Sequence, residues 1–117
     1  MQCLSQKFTS KNRVLIGAAF VFASGSCVAQ SWSGFGSIKY IEAGWSQDTM
    51  AVYHSAPTVN PNGCRVTSAG YATDPGDPGR SLFHTVALAA FLNRKEVQFL
   101  ISGCVFDKPK IIAVGIR

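Results

Sequence analysis

Five runs of the chain have the two-residue alternation of apolar and polar positions that marks a half-buried strand. In residues 36–45 (GSIKYIEAGW), Ile38 and Tyr40 share one face, and Ile41, Ala43 and Trp45 then alternate on the other. That change of phase inside one run predicts a β-bulge near Tyr40 and Ile41. Residues 49–55 (TMAVYHS) set Met50, Val52 and His54 against Ala51 and Tyr53. With Ser46 to Asp48 as a short polar turn between them, the two runs predict a hairpin. Pro57, Pro61 and the Asn62-Gly63 pair then mark a loop. Residues 64–72 (CRVTSAGYA) are a third strand. Residues 96–105 (EVQFLISGCV), with Val97, Phe99 and Ile101 on one face, are a fourth. After a turn at Asp107 to Pro109, residues 110–117 (KIIAVGIR) are a fifth, with Ile112, Val114 and Ile116 aligned.

One segment changes period. Residues 73–80 (TDPGDPGR) hold two Pro, two Gly and two Asp and predict an exposed loop. Ser81 is then a suitable N-cap for a helix over 82–93. Leu82, Val86, Ala89 and Ala90 line one face of that helix, with Phe83 and Phe91 at its borders. Arg94 and Lys95 fall at its C-terminal end, where the helix dipole favours cations. So few charges imply cover on more than one side, by the sheet and by another chain. Three strands, a helix and two strands make a mainly β chain of mixed β+α class. The arrangement expected is a five-stranded OB-like small barrel with one helix between strands three and four.

The N-terminus has a pattern of a different kind. Residues 1–13 carry Lys7, Lys11 and Arg13 and no acid; residues 14–23 are an uncharged apolar run, followed by SGSCVA. This is the three-part form of a secretory signal peptide, with cleavage expected after Ala29. The apolar run is too short for a comfortable transmembrane helix, which needs about 20 residues. The expected division is thus a signal peptide over 1–29 and a single domain over 30–117, exported to the periplasm or beyond and free of a membrane anchor.

Cleavage changes the cysteine and charge arithmetic. Cys3 and Cys27 leave with the leader, so Cys64 can pair only with Cys104, and an oxidising compartment favours a structural disulfide. Closing a loop of that length stabilises a fold by about 4 kcal/mol in the chain-entropy model. A redox pair would prefer Cys-x-x-Cys spacing, and a zinc site with His54 and His84 fits no familiar ligand spacing. The net charge of +5 is largely a property of the leader: after residue 29, eight bases face six acids, leaving +2. That balance removes the case for a nucleic-acid binder built on phosphate neutralisation.

Catalytic templates find little support. His54 lies in a strand and His84 in the first helical turn, neither in a motif with a partner. Four of the six acids (Asp48, Asp74, Asp77 and Asp107) fall in turns, and Glu42 and Glu96 are solitary strand residues. No metal, nucleotide or haem motif is present, so no cofactor and no enzymatic activity are expected. The surplus is aromatic: ten aromatic residues follow Ala29. Most are expected in the core. Trp32 and Phe35, in the Ser/Gly-rich segment QSWSGFGS, are either a plug closing the barrel or, with Ser33 and Ser37, an amphipathic platform for a small polar ligand such as a sugar.

A Trp-bearing start, the strand SIKYIEAG, a Cys strand and above all the segment GRSLFHTVALAAFLNRKEVQFLISGC carry a likeness. Over residues 32–116 the chain resembles the B subunits of subtilase-cytotoxin-like and typhoid-toxin-like bacterial toxins. It also resembles small exported bacterial proteins that share the layout. The resemblance implies an OB-fold, a ring of five subunits assembled through helix 82–93, and binding of sialylated or other host glycans. It implies that Ser33, or in second place Ser37, contacts the sugar. The expected function is an exported, non-enzymatic binding module, a glycan-binding toxin-B-like subunit. The alternative is a periplasmic accessory or structural protein without a ligand of its own.

Overall fold

The computed structural model describes residues 28–117. All but the last two residues of the expected signal peptide lie outside the described residues. Six strands and one helix follow in chain order: β1 (Gln30–Trp32), β2 (Gly36–Ala43), β3 (Met50–His54), β4 (Tyr71–Ala72), α1 (Arg80–Leu92), β5 (Glu96–Val105) and β6 (Lys108–Ile116). They form a mixed sheet in the order β1-β5-β2-β3-β4-β6, with a further pairing of β5 with β6.

Strand β2 bends as its phase change requires. Its first two residues pair with Val97 and Glu96 of β5, and from Ile38 onward it pairs with β3. The register shift lies between Ile38 and Tyr40, just after the strand has passed from one partner to the other. A second bulge explains a misread face. Leu100 and Ile101 of β5 oppose Ala113 and Ile111, which leaves Ile112 as the extra residue of β6. The alternation therefore flips: Ile111 is buried in the core and Val114 packs against it, whereas Ile116 is exposed.

The expected five-stranded OB-like barrel is corrected by these pairings. The sheet has six strands, because residues 30–32 add to the edge of β5 as β1. The expected strand over 64–72 survives as Tyr71 and Ala72 alone, and β4 meets β6 through a single parallel pair, Ala72 with Lys110. The OB-fold assignment falls with the barrel.

The physical reason lies in how residues 60–70 satisfy their backbone. Asn60 Oδ1 accepts from Cys64 N–H at 2.8 Å while its amide donates to the Cys64 carbonyl at 2.9 Å. Asn62 Oδ1 accepts from Gly103 N–H, and Val66 N–H donates to the Asp107 carbonyl. These bonds replace a ladder with local side-chain partners. Cys64 is bonded to Cys104, with Cα atoms 5.7 Å apart, and ties the irregular segment to β5. Gly70 completes the approach to β4: at φ +74°, a Cβ there would lie 2.5 Å from the Val52 carbonyl oxygen.

Helix α1 starts earlier than Ser81 would set it. Asp74 and Asp77 each accept a backbone N–H two residues on, from Gly76 and Gly79, and the second turn leads into the helix. Gly79 is the N-cap. At the other end, Lys95 N–H donates to Ala90 O and Arg94 N–H to Phe91 O, with Arg94 at φ 54°. This is a Schellman motif with Arg where Gly is usual. Arg94 and Lys95 are thus committed to the cap and lie beyond the last turn rather than in it.

The buried face of α1 is also corrected. Ala87 and Ala90 enter the core beside Phe83, whereas Leu82 and Ala89, expected on that face, are exposed. The core itself joins Ile38, Val52, Tyr71, Val97, Phe99, Ile101 and Ile111 to these alanines. Tyr71 accepts the Val59 N–H at 2.9 Å, and burial raises its pKa above the ordinary phenol value. No helix among the described residues is long and apolar enough to cross a membrane.

Candidate functional site

The four residues read as a binding platform have separate duties. Trp32 is half-exposed on the edge strand β1. Ser33 is buried; its Oγ accepts from Phe99 N–H at 3.0 Å and donates to Gly34 O at 2.9 Å. With Ser33 N–H donating to Phe99 O, both main-chain groups of Phe99 are held. The Arg117 guanidinium carbon lies 4.1 Å from the Phe35 ring centroid, a cation–π contact, and the same guanidinium pairs with Glu96 at 2.8 Å. Ser37 is exposed, donating its N–H to Ser55 Oγ at 2.8 Å. It lines a groove of about 400 Å³ with Ile38, Ala90, Phe91, Arg94 and Lys95. None of Trp32, Ser33 and Phe35 lines that groove.

A different constellation occupies the tips of two hairpins. Gly44 to Gln47 is a turn closed by Gln47 N–H to Gly44 O at 3.3 Å, and its central residues, Trp45 and Ser46, have φ of 60° and 65°. The β5–β6 hairpin turns in two residues, Phe106 and Asp107, at φ 51° and 61°. Two positive φ values are what a type I′ hairpin turn demands, and Asn-Gly is the usual occupant. Here each turn places a bulky aromatic residue in the first left-handed position. The steric cost there is roughly 1–2 kcal/mol per residue. Neither ring recovers it by burial, since Trp45 is 77% exposed and Phe106 is 45% exposed.

Both aromatics line one cleft of about 270 Å³ together with Gln47, Thr49, Ala51, Ala72 and Lys108. Ala51 and Ala72 are paired across β3 and β4 and supply a flat, buried floor. Thr49 is buried and directs its hydroxyl to Thr73 O at 2.6 Å. The rim therefore offers an indole, a phenyl ring, an amide and an ammonium. Apolar faces with a few polar groups around them match the composition of small-molecule sites. Sequence reading placed Trp45 at the end of a strand and left Phe106 among core aromatics. The usable signal was position: an aromatic residue between turn residues, as in Gly44-Trp45-Ser46 and in Phe106-Asp107, has no strand face to fill.

The base of the first hairpin is braced by a line of polar groups. Thr73 Oγ1 lies 2.6 Å from His84 Nε2, and His84 Nδ1 lies 3.8 Å from Asp48 Oδ1, while Arg80 Nε donates to Asp48 Oδ2. Thr73 Oγ1 also accepts from Met50 N–H at 2.9 Å. A hydroxyl, an imidazole and a carboxylate in sequence have the order of a nucleophilic triad. Thr73 is only 1% exposed, so its hydroxyl is closed to a substrate and serves to join α1 to the loop carrying Trp45. Burial lowers the His84 pKa below the ordinary imidazole value; Asp48 opposes the shift and Arg80 adds to it. His54 Nε2–H donates to the Val97 carbonyl at 2.9 Å, its buried Nδ1 has no hydrogen-bond partner among the described residues, and its ring meets Phe99 edge-on at 5.2 Å. Among the described residues no three His, Cys, Asp or Glu side chains converge as a metal site would require.

No protein-family model, no curated protein and no solved structure matches the chain.

Proposed function

We propose that this chain is an exported, disulfide-stapled binding module that takes a small ligand of saccharide type between Trp45 and Phe106. One observation carries the reading. Two exposed aromatic residues occupy left-handed turn positions, where they cost the fold energy, and both line the same cleft. Strain of this kind persists where the surroundings over-determine it and clusters at binding sites. Aromatic faces stack on the apolar faces of sugar rings, and Gln47 on the rim can serve their hydroxyls. Export rests on the leader-like pattern of residues 1–29 and is supported by the Cys64–Cys104 disulfide, which persists in oxidising compartments.

The test is a glycan panel read by tryptophan fluorescence on oxidised 30–117. Binding is expected to perturb Trp45 emission in the parent and, read by titration calorimetry, to vanish in Trp45→Gly and Phe106→Gly. Glycine suits both turn positions, so these variants should fold at least as well as the parent. A ligand held with undiminished affinity by the double variant would refute the cleft as the site.

Self-association through α1 is the second part of the reading. Leu82, Leu88 and Leu92 are exposed on a helix with no charged residue after Arg80. A like face on a second copy brings no charge to be desolvated, so the surface is self-complementary. The mass in solution by light scattering is expected to exceed that of a monomer and to return to it in Leu88→Lys/Leu92→Lys. A parent chain that stays monomeric at high concentration would remove this part.

A further inference from the structure

We infer that Lys108 makes the cleft selective for an anionic ligand, a sugar ring bearing a carboxylate rather than a neutral one. The inference rests on the cleft being the ligand site and adds the charge of what it takes.

Lys108 lines the cleft beside Phe106 and is half-buried. Among the described residues it forms no ion pair, and every acid of the described chain is engaged elsewhere. Asp48 pairs with Arg80, Glu96 with Arg117, and Asp107 with Arg65 at 2.9 Å. Asp74 and Asp77 accept backbone N–H groups in the loop before α1. Glu42 interacts with Tyr40, whose pKa it raises above the ordinary phenol value. The case of Asp107 is the most telling. It is the chain neighbour of Lys108, yet its carboxylate is taken by Arg65 across from the irregular segment.

The cleft thus holds a lysine that pairs with no acid among the described residues. An incoming carboxylate can meet that lysine through a charge-assisted hydrogen bond, which a neutral hydroxymethyl group cannot offer. Lys39, Arg94, Lys95 and Lys110 are likewise without ion pairs, but none lines this cleft. The selectivity is therefore assigned to Lys108 alone.

The test uses two probes that differ in one group: phenyl β-glucoside, with a neutral hydroxymethyl, and phenyl β-glucuronide, with a carboxylate in its place. Titration calorimetry on oxidised 30–117 is expected to favour the glucuronide by about tenfold, the scale of one charged hydrogen bond. Added salt should reduce that preference. Lys108→Met should bring the two probes together by weakening the glucuronide, and Lys108→Arg should keep the preference. Circular dichroism melts of both variants check that the hairpin is intact. Equal binding of the two probes by the parent would overturn the charge selectivity while leaving the aromatic cleft as the site. So would a glucuronide preference that survives Lys108→Met. Binding of neither probe would overturn the cleft reading, and this inference with it.

Discussion

The hydroxyl of Ser33 spends both of its hydrogen-bonding roles on the fold, accepting from Phe99 N–H and donating to Gly34 O. Phe99 is fully buried, so without that acceptor its amide has no route to water. A buried donor left unsatisfied costs about 1–3 kcal/mol. Ser33→Ala is accordingly expected to lose that much stability in urea unfolding, at unchanged slope. A loss of ligand binding in that variant would report on the fold, and variants at Trp45 and Phe106 are the ones that address the site. Those two residues show the reverse economy. Their side chains contribute little to the core and their backbone conformations oppose folding, which is the signature of residues kept for contact with something else.

At the scale of elements, α1 and the β2–β3 hairpin are joined through the Thr73–His84–Asp48 line and the Arg80–Asp48 pair. The sign of the pH dependence follows from burial. The His84 pKa is lowered in the folded chain, chiefly by desolvation, so the unfolded chain binds the proton more readily. The stabilisation is complete above the unfolded imidazole value of about 6.5 and is lost as pH falls from there towards the folded value. Asp48 and Arg80 are the charged groups that face the ring, and the first softens the effect. Stability measured by denaturant titration is expected to fall between neutral pH and about pH 5, with a smaller slope in His84→Gln. A slope unchanged by that substitution would assign the effect to other groups.

For the whole molecule, the Cys64–Cys104 bond spans 40 residues of sequence and holds a segment whose backbone is satisfied largely by Asn side chains. Its cross-link restricts the unfolded chain, worth about 4 kcal/mol in the entropy model. Domains of this size have little stability in reserve. Reduction, or the paired change Cys64→Ser/Cys104→Ser, is expected to lower stability by about that amount. Hydrogen exchange should rise first over residues 56–70, where no strand or helix is present. Protection retained there after reduction would show that the asparagine clamps suffice alone. The disulfide also lies one hairpin turn away from Phe106, so its loss should be felt at the cleft.

Much of this architecture is legible in the chain as written. The hairpin over β2 and β3, the bulge that bends it, the helix after the Asp-Pro-Gly repeats and the inward face of Val97, Phe99 and Ile101 all follow from periodicity and turn chemistry, which act between near neighbours. The Cys64–Cys104 pairing follows from cysteine arithmetic once the leader is set aside. What lies beyond near neighbours was decided by the tertiary structure. Residues 64–70 carry strand-like composition, yet Asn60, Asn62 and the disulfide offer their backbone other partners, so the strand shrinks to Tyr71 and Ala72. The sequence offers Ser33 as a ligand contact and Trp45 as a strand residue. Only the distance between Ser33 and Phe99, 66 residues apart, and the meeting of two hairpin tips from opposite halves of the chain separate those roles.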